Sequence, residues 1–327
     1  MSVDGIEIAR AYENGELCGW AEHHNPGLAR SEFRLLSKGG LFLPFRITRT
    51  TRQRYTATGK KVMLYLLARK LLGQDITFYP QEIGDCVSFG AKNAAELLQV
   101  VQKLIKGDAI KWRPVFPPYY YGTGRVYVGR GRLGNQDGSL GSWMAQAVMR
   151  YGTLFADEPN VPKYSGRVAK AYGDPDPRND LDLWLPTAKN YLIQGAALIK
   201  TWPDLVEAIA NGYPVTCASN VGFEMEPRRD GFHYVGRRPW PHQMAFIGVD
   251  DNERNPYAVV QNQWGHVHGD LKDFADGHNL PKGCLRIRRD AAELILRANE
   301  SFAYSHMRGF PDQSAEIEKA MFDLIGN

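Results

Sequence analysis

Apolar positions recur at helical spacing through the first two thirds of the chain and at a shorter spacing beyond residue 213. The longest helical pattern follows a turn marked by Pro80. From Cys86 on, Phe89, Leu97, Leu98, Val101, Leu104 and Ile105 return at three- and four-residue steps, with Lys92, Glu96, Gln99 and Lys103 between them. That predicts an amphipathic helix of roughly 20 residues closed by Gly107. Further helices are predicted over 60–72, ended by Gly73, over 143–151, closed by Gly152, and over 203–211. The last has Thr201 or Asp204 at its start and Gly212 at its end. Residues 1–45 read as loops and short elements, 112–135 as a long surface connection rich in Pro, Tyr, Gly and Arg, and 156–186 as loop. The segments 214–219, 244–249, 257–262 and 284–288 are short and rich in β-branched and aromatic residues, which predicts strands. The tail returns to helical patterns at 290–299 and 313–325. Helices followed by strands imply an α+β fold.

At 327 residues the chain is long enough for one or two domains, and 43% hydrophobic and 23% charged content is ordinary for a globular protein. A net charge of +4 does not by itself point to nucleic acid. The segment 46–61 carries six basic residues and no acidic one. Its plain reading is a solvated strand or loop; the sharper one is a contact surface for an acidic partner, nucleic acid included. No apolar run nears the roughly 18 residues that span a bilayer, and the N-terminus shows no signal-peptide pattern. Cys18, Cys86, Cys217 and Cys284 show neither paired spacing nor a zinc signature, so free thiols in a reducing, cytoplasmic-type compartment are expected.

Cys86 is where chemistry concentrates. In the first turn of a helix, unpaired N–H groups and the positive end of the dipole favour a thiolate. The base it needs is sought in His242, which opens a strand, and Asn262, at the end of the next one, can accept from the imidazole and fix its tautomer. Two adjacent antiparallel strands bring such residues side by side.

At these residues the chain resembles the papain-like cysteine peptidases. Gln81…Gly84-Asp-Cys86-Val-Ser-Phe89 is similar to the family's nucleophile motif, His242-Gln-Met-Ala to its histidine strand, and Asn262-Gln-Trp264-Gly265 to its Asn-x-Trp-Gly motif. Asp137-Gly138-Ser139-Leu-Gly141-Ser-Trp-Met-Ala145 resembles the glycine-rich wall of the substrate cleft, and 282–289 the closing strand. Gln81 stands one residue closer to Cys86 than the family pattern, Val87 replaces an aromatic residue, and the cysteines that brace this loop are missing. The resemblance implies a two-lobed fold over 78–290: a helical lobe over about 78–190 carrying Cys86, and a strand-rich, barrel-like lobe over about 191–290 carrying His242 and Asn262. Residues 1–77 and 291–327 would be terminal additions, the first a prosegment or a structural extension. By the same resemblance Cys86 is the nucleophile, His242 the general base and acid, and Asn262 its orienter. Trp264 shields their bond, Gln81 donates to the oxyanion, and Gly138, Ser139 and Gly141 line the cleft. The implied function is a peptidase acting on polypeptides, with no metal or organic cofactor.

Two alternatives stay open. One is a structural or assembly component, such as part of a virion, whose partners bind the terminal additions. The other is a Cys-His amidase, deubiquitinase-like hydrolase or transferase. His266 and His268 have the one-face spacing of a strand metal pair but no third ligand, so they are read as surface residues. Cys18, Cys217 and Cys284 are read as small buried hydrophobes, and Gly222-Phe223 and Trp240-Pro241 as walls of the cleft near His242 or, nearly as well, as core packing.

Overall fold

The computed structural model describes residues 18–23, 26–32, 58–107, 110–176, 180–264, 279–305 and 314–325. Strands β1 (Lys61–Met63), β2 (Gly195–Leu198), β3 (Val215–Ser219), β4 (His242–Asp250), β5 (Tyr257–Gln261), β6 (Cys284–Arg288) and β7 (Ser301–Ser305) form an antiparallel sheet. Their order is β2-β7-β3-β4-β5-β6, with β1 paired to the far half of β4. The helices are α1 (Leu64–Leu72), α2 (Cys86–Ile105), α3 (Pro117–Gly122), α4 (Gly141–Arg150), α5 (Gly166–Gly173), α6 (Leu181–Ala188), α7 (Trp202–Ala210), α8 (Arg289–Leu296) and α9 (Ser314–Ile325). A π-helical turn, Thr123–Val128, continues α3.

Two apolar cores define two lobes, and α2 runs between them. Its Leu97, Val100 and Val101 join the core built on the sheet, α1 and α7. Cys86, Val87, Ala91, Ala94, Ala95 and Leu98 join the aromatic core of α3 and α4, with Tyr119, Tyr120, Tyr121 and Trp143. The polar positions of α2 therefore do not form a solvated face. Lys92 and Glu96 are buried and pair at 3.0 Å. Lys92 Nζ also donates to the Thr77 carbonyl, and the Glu96 carboxylate accepts from Thr77 N (3.1 Å) and Val115 N (2.9 Å). Burial pulls Lys92 down and Glu96 up, each toward its neutral form.

The fold is α+β, as the period change implies, with local differences. The pattern over 60–72 splits: Lys61–Met63 extends along β4, and the helix begins at Leu64. The expected surface connection over 112–135 contains α3 and the π-turn, with Tyr119–Tyr121 buried. Their hydroxyls find partners indoors, Tyr119 on Tyr151 O (2.9 Å) and Tyr120 on Thr153 Oγ1 (2.7 Å). The expected loop over 156–186 holds α5 and the start of α6. Strands β1 and β7 come from the segments read as terminal additions, and β7 lies inside the sheet between β2 and β3. Residues 46–57, 266 and 268 fall outside the described residues. Lys60 lies within 4 Å of Glu207 and Glu318 carboxylates (3.7 and 3.8 Å), and Lys61 of Asp250 (3.5 Å). No described helix is long and apolar enough to cross a membrane.

Candidate active site

The nucleophile candidate is placed by a helix start and the base by a strand start. Cys86 is the first residue of α2, with Asp85 at the N-cap position. His242 is the first residue of β4, paired with Ser219 on β3. Asn262 follows β5 directly. All three are buried. His242 Nε2 lies 2.8 Å from Asn262 Oδ1, and that oxygen also accepts from the backbone N–H of Gln263 at 2.8 Å. A backbone N–H can only donate, so it fixes which end of the Asn262 amide faces the ring. The ring proton then sits on Nε2 and the lone pair on Nδ1.

Trp264 is fully buried and covers this bond, its ring centroid 4.3 Å from that of His242, and Trp240 packs on Trp264 at 4.9 Å. The indole N–H of Trp264 donates to Gln81 Oε1 at 3.1 Å, Gln81 N donates to Gln263 O at 3.0 Å, and Gln81 Nε2 to Ile83 O at 2.6 Å. Gln81, Cys86, His242, Asn262 and Trp264 thus converge from both lobes. Cys86 Sγ accepts from the backbone N–H of Gln243 at 3.3 Å. Among the described residues His242 Nδ1 has no hydrogen-bond partner, Cys86 Sγ included.

Residues 18–21 lie across this site. Trp20 N donates to Pro241 O (2.9 Å), Ser139 N to Gly19 O (2.8 Å) and Ala21 N to Ser139 O (2.8 Å). Trp20 and Ser139 thereby form a parallel bridge. The approach is backbone to backbone: a Cβ on Gly19 would stand 2.0 Å from the Gly84 carbonyl oxygen, and one on Gly138 (φ +105°) would stand 2.9 Å from Gly19 O. Further on, Glu32 takes a bidentate pair from Arg132 (2.7 and 2.8 Å) and a bond from Trp143 Nε1 (3.0 Å). Sequence reading had this strap as loop and short elements.

Under the strap, burial decides the charge state. It pushes the Cys86 thiol up, against a downward pull from the N–H groups of Gln243 and Gly19. It pulls His242 from 6.5 down to about 4, against an upward pull from Asn262. In this covered form burial therefore opposes the thiolate that the helix start favours.

Of the expected cleft residues, Gly138 and Ser139 meet the strap. Gly141 instead lies behind the wall, where a Cβ would stand 2.8 Å from Gln243 Oε1 and 2.9 Å from Glu300 Oε2. Gly138 is itself held by Tyr121, whose hydroxyl accepts from its N–H (2.9 Å), and by buried Arg125, which donates to its carbonyl. Trp240 and Phe223 pack together beside Trp264. Cys217 and Cys284 are buried, whereas Cys18 is half-buried in the strap; all four cysteines are free. Sequence reasoning missed Arg125, Tyr121, Gln243 and Gln263. Gln243 and Gln263 stood inside the His242-Gln-Met-Ala and Asn-x-Trp patterns, without a role assigned to either. Among the described residues no cluster of three His, Cys, Asp or Glu side chains could hold a metal ion.

No family model matches the chain, and no curated protein matches it in sequence. Solved structures do. Xylellain, a cysteine protease from Xylella fastidiosa, is 12% identical with a TM-score of 0.51, covering 81% of this chain and 96% of its own. A structure from a study of antibody cross-reactivity between the mite allergens Blo t 1 and Der p 1 is 13% identical with a TM-score of 0.51, covering 90% of this chain and 81% of its own. The fold is that of the papain-like cysteine proteases.

Proposed function

We propose that the protein is a cysteine peptidase that hydrolyses peptide bonds in polypeptides through Cys86, His242 and Asn262. The observation that carries the reading is the 2.8 Å His242–Asn262 bond, sheathed by Trp264, on a strand whose next N–H meets the Cys86 sulfur. Cys86 gives its proton to His242 Nδ1, and the thiolate attacks the substrate carbonyl carbon. The oxyanion takes hydrogen bonds from the Gln81 side-chain amide and the Cys86 backbone N–H, donors of a kind worth about 10²–10³ in rate. The imidazolium protonates the leaving amine, leaving a thioester on Cys86. His242 then takes a proton from water, the hydroxide attacks the thioester, and the acid and the thiol are released. Neither metal nor organic cofactor enters. A site that works through a thiol suits a reducing compartment.

Residues 18–21 act as a cover in this reading, one that must yield before substrate enters, whereas β1 and α1 stay in the sheet and its core. The pairing of the strap with Ser139 supports it, because a substrate backbone would need the same edge. A structural or virion role finds no support in the comparisons.

Digestion of a peptide library is the test. Internal cleavage by the wild type that disappears in Cys86→Ala is expected. Turnover of small amides or ubiquitin-like conjugates without internal cleavage would move the assignment to an amidase or a deubiquitinase-like hydrolase. No turnover of either kind would overturn it.

A further inference from the structure

Gln263 is a primary amide buried at the meeting of the two lobes, a position where an apolar side chain would avoid a desolvation cost of about 1–3 kcal/mol. Its side-chain Nε2 donates to two carbonyls from opposite sides of the cleft: Gln243 O on β4 at 3.2 Å and Cys86 O at the start of α2 at 3.4 Å. Its own backbone does two more things. The N–H fixes the Asn262 amide at 2.8 Å, and the carbonyl receives Gln81 N at 3.0 Å. Gln243, one of its two side-chain partners, gives its N–H to the Cys86 sulfur and its side-chain Nε2 to Val87 O at 2.9 Å. Among the described residues the Gln263 carbonyl Oε1 is buried without a partner, so the side chain is not there for complete polar satisfaction.

We propose that the Gln263 side chain is a positioning group for the Cys86–His242 pair. It pins the peptide on each side of the cleft, and so sets the distance at which the Gln243 N–H stabilises the Cys86 thiolate. This inference rests on the peptidase reading for its meaning. Its direct consequence is a property of the thiol, which can be read without a substrate.

Gln263→Met keeps the length of the side chain and removes the donor. The pH dependence of Cys86 alkylation by iodoacetamide is read on the Cys86-containing peptide by mass spectrometry. It is measured on folded full-length protein, both wild type and Glu32→Gln, the latter with its strap anchor loosened. The expected result is a profile displaced upward by about one pH unit, a roughly tenfold slower reaction near neutrality. On a peptide substrate kcat falls and KM holds. A merely structural loss would lower the folded fraction and leave the profile of the folded protein in place. If Gln263→Met does not fold, Gln263→Leu, which also lacks the donor and adds no charge, takes its place with the same upward displacement expected. A profile that coincides with the parent's overturns this inference and leaves the peptidase reading standing. Peptide turnover that is absent, with a displaced profile, sinks the peptidase reading alone. A Cys86 inert at every pH in both parents sinks the two together.

Discussion

A buried thiol and a buried imidazole lose the water that favours their charged forms, and here single atoms oppose that loss. Asn262 Oδ1 holds the His242 proton on Nε2, and the Gln243 N–H faces the sulfur. Replacing Asn262 by Ala frees the ring to turn and to move its proton; kcat should fall by about 10²-fold, with KM little changed, in steady-state assays. Trp264→Ala strips the cover from that bond and leaves a large cavity, and its destabilisation should be about 3–5 kcal/mol by denaturant titration. At this scale the sequence was most readable where the chemistry is carried by short patterns. Cys86, His242 and Asn262-Gln-Trp264 each sit at the end of a regular element and keep their order. Gln243, Arg125 and Glu32 were not readable, because their roles come from partners across the fold: Gln243 from a sulfur 157 residues away, Glu32 from Arg132 100 residues away.

The element with the most consequence is the strap. Arg132 holds the Glu32 carboxyl below its ordinary 4.5, against the upward pull of burial, and Trp143 and Arg130 add to the lowering. A lowered folded value means the anchor contributes fully above pH 4.5 and is lost as the pH falls through the folded value. Because Arg132 is 44% exposed, solvent screening makes that contribution modest. Acid should therefore loosen the strap, and Glu32→Gln should loosen it already at neutral pH. Hydrogen exchange at Trp20 and Ala21 should speed up in that variant, and no change there would remove Glu32 as the anchor. Gly19→Ala drives a methyl into the Gly84 carbonyl and should raise the alkylation rate of Cys86 in the full chain. Elements were legible where their period was clean: α2, α7 and the strands β3 to β6 stand within two residues of expectation at each end. Others were hidden by composition. Strand β2 is Gly-Ala-Ala-Leu, too small and plain to signal a strand, and the Pro, Tyr and Gly of α3 imitate a surface connection until tertiary packing buries the tyrosines.

Across the whole molecule, α2 joins two cores, and the site exists because residues on its two sides are held in register. The buried Lys92–Glu96 pair fastens the loop that leads to Gln81 onto this helix through Thr77. Removing one partner leaves the other charge uncompensated, so Lys92→Met should cost about 3–5 kcal/mol by denaturant titration. The two-lobed plan followed from the resemblance, whereas the contribution of both terminal regions to the sheet did not, because pairing of β1 with β4 and β7 with β3 is non-local. The central claim is that Cys86 and His242 act together across this boundary, and covalent labelling by a thiol-directed epoxide tests it most directly. The account predicts labelling of Cys86 in the full chain, faster in Glu32→Gln, absent in Cys86→Ala and strongly slowed in His242→Ala. Folded Glu32→Gln protein that stays unlabelled from pH 5 to 8, or that labels equally well without His242, would contradict it.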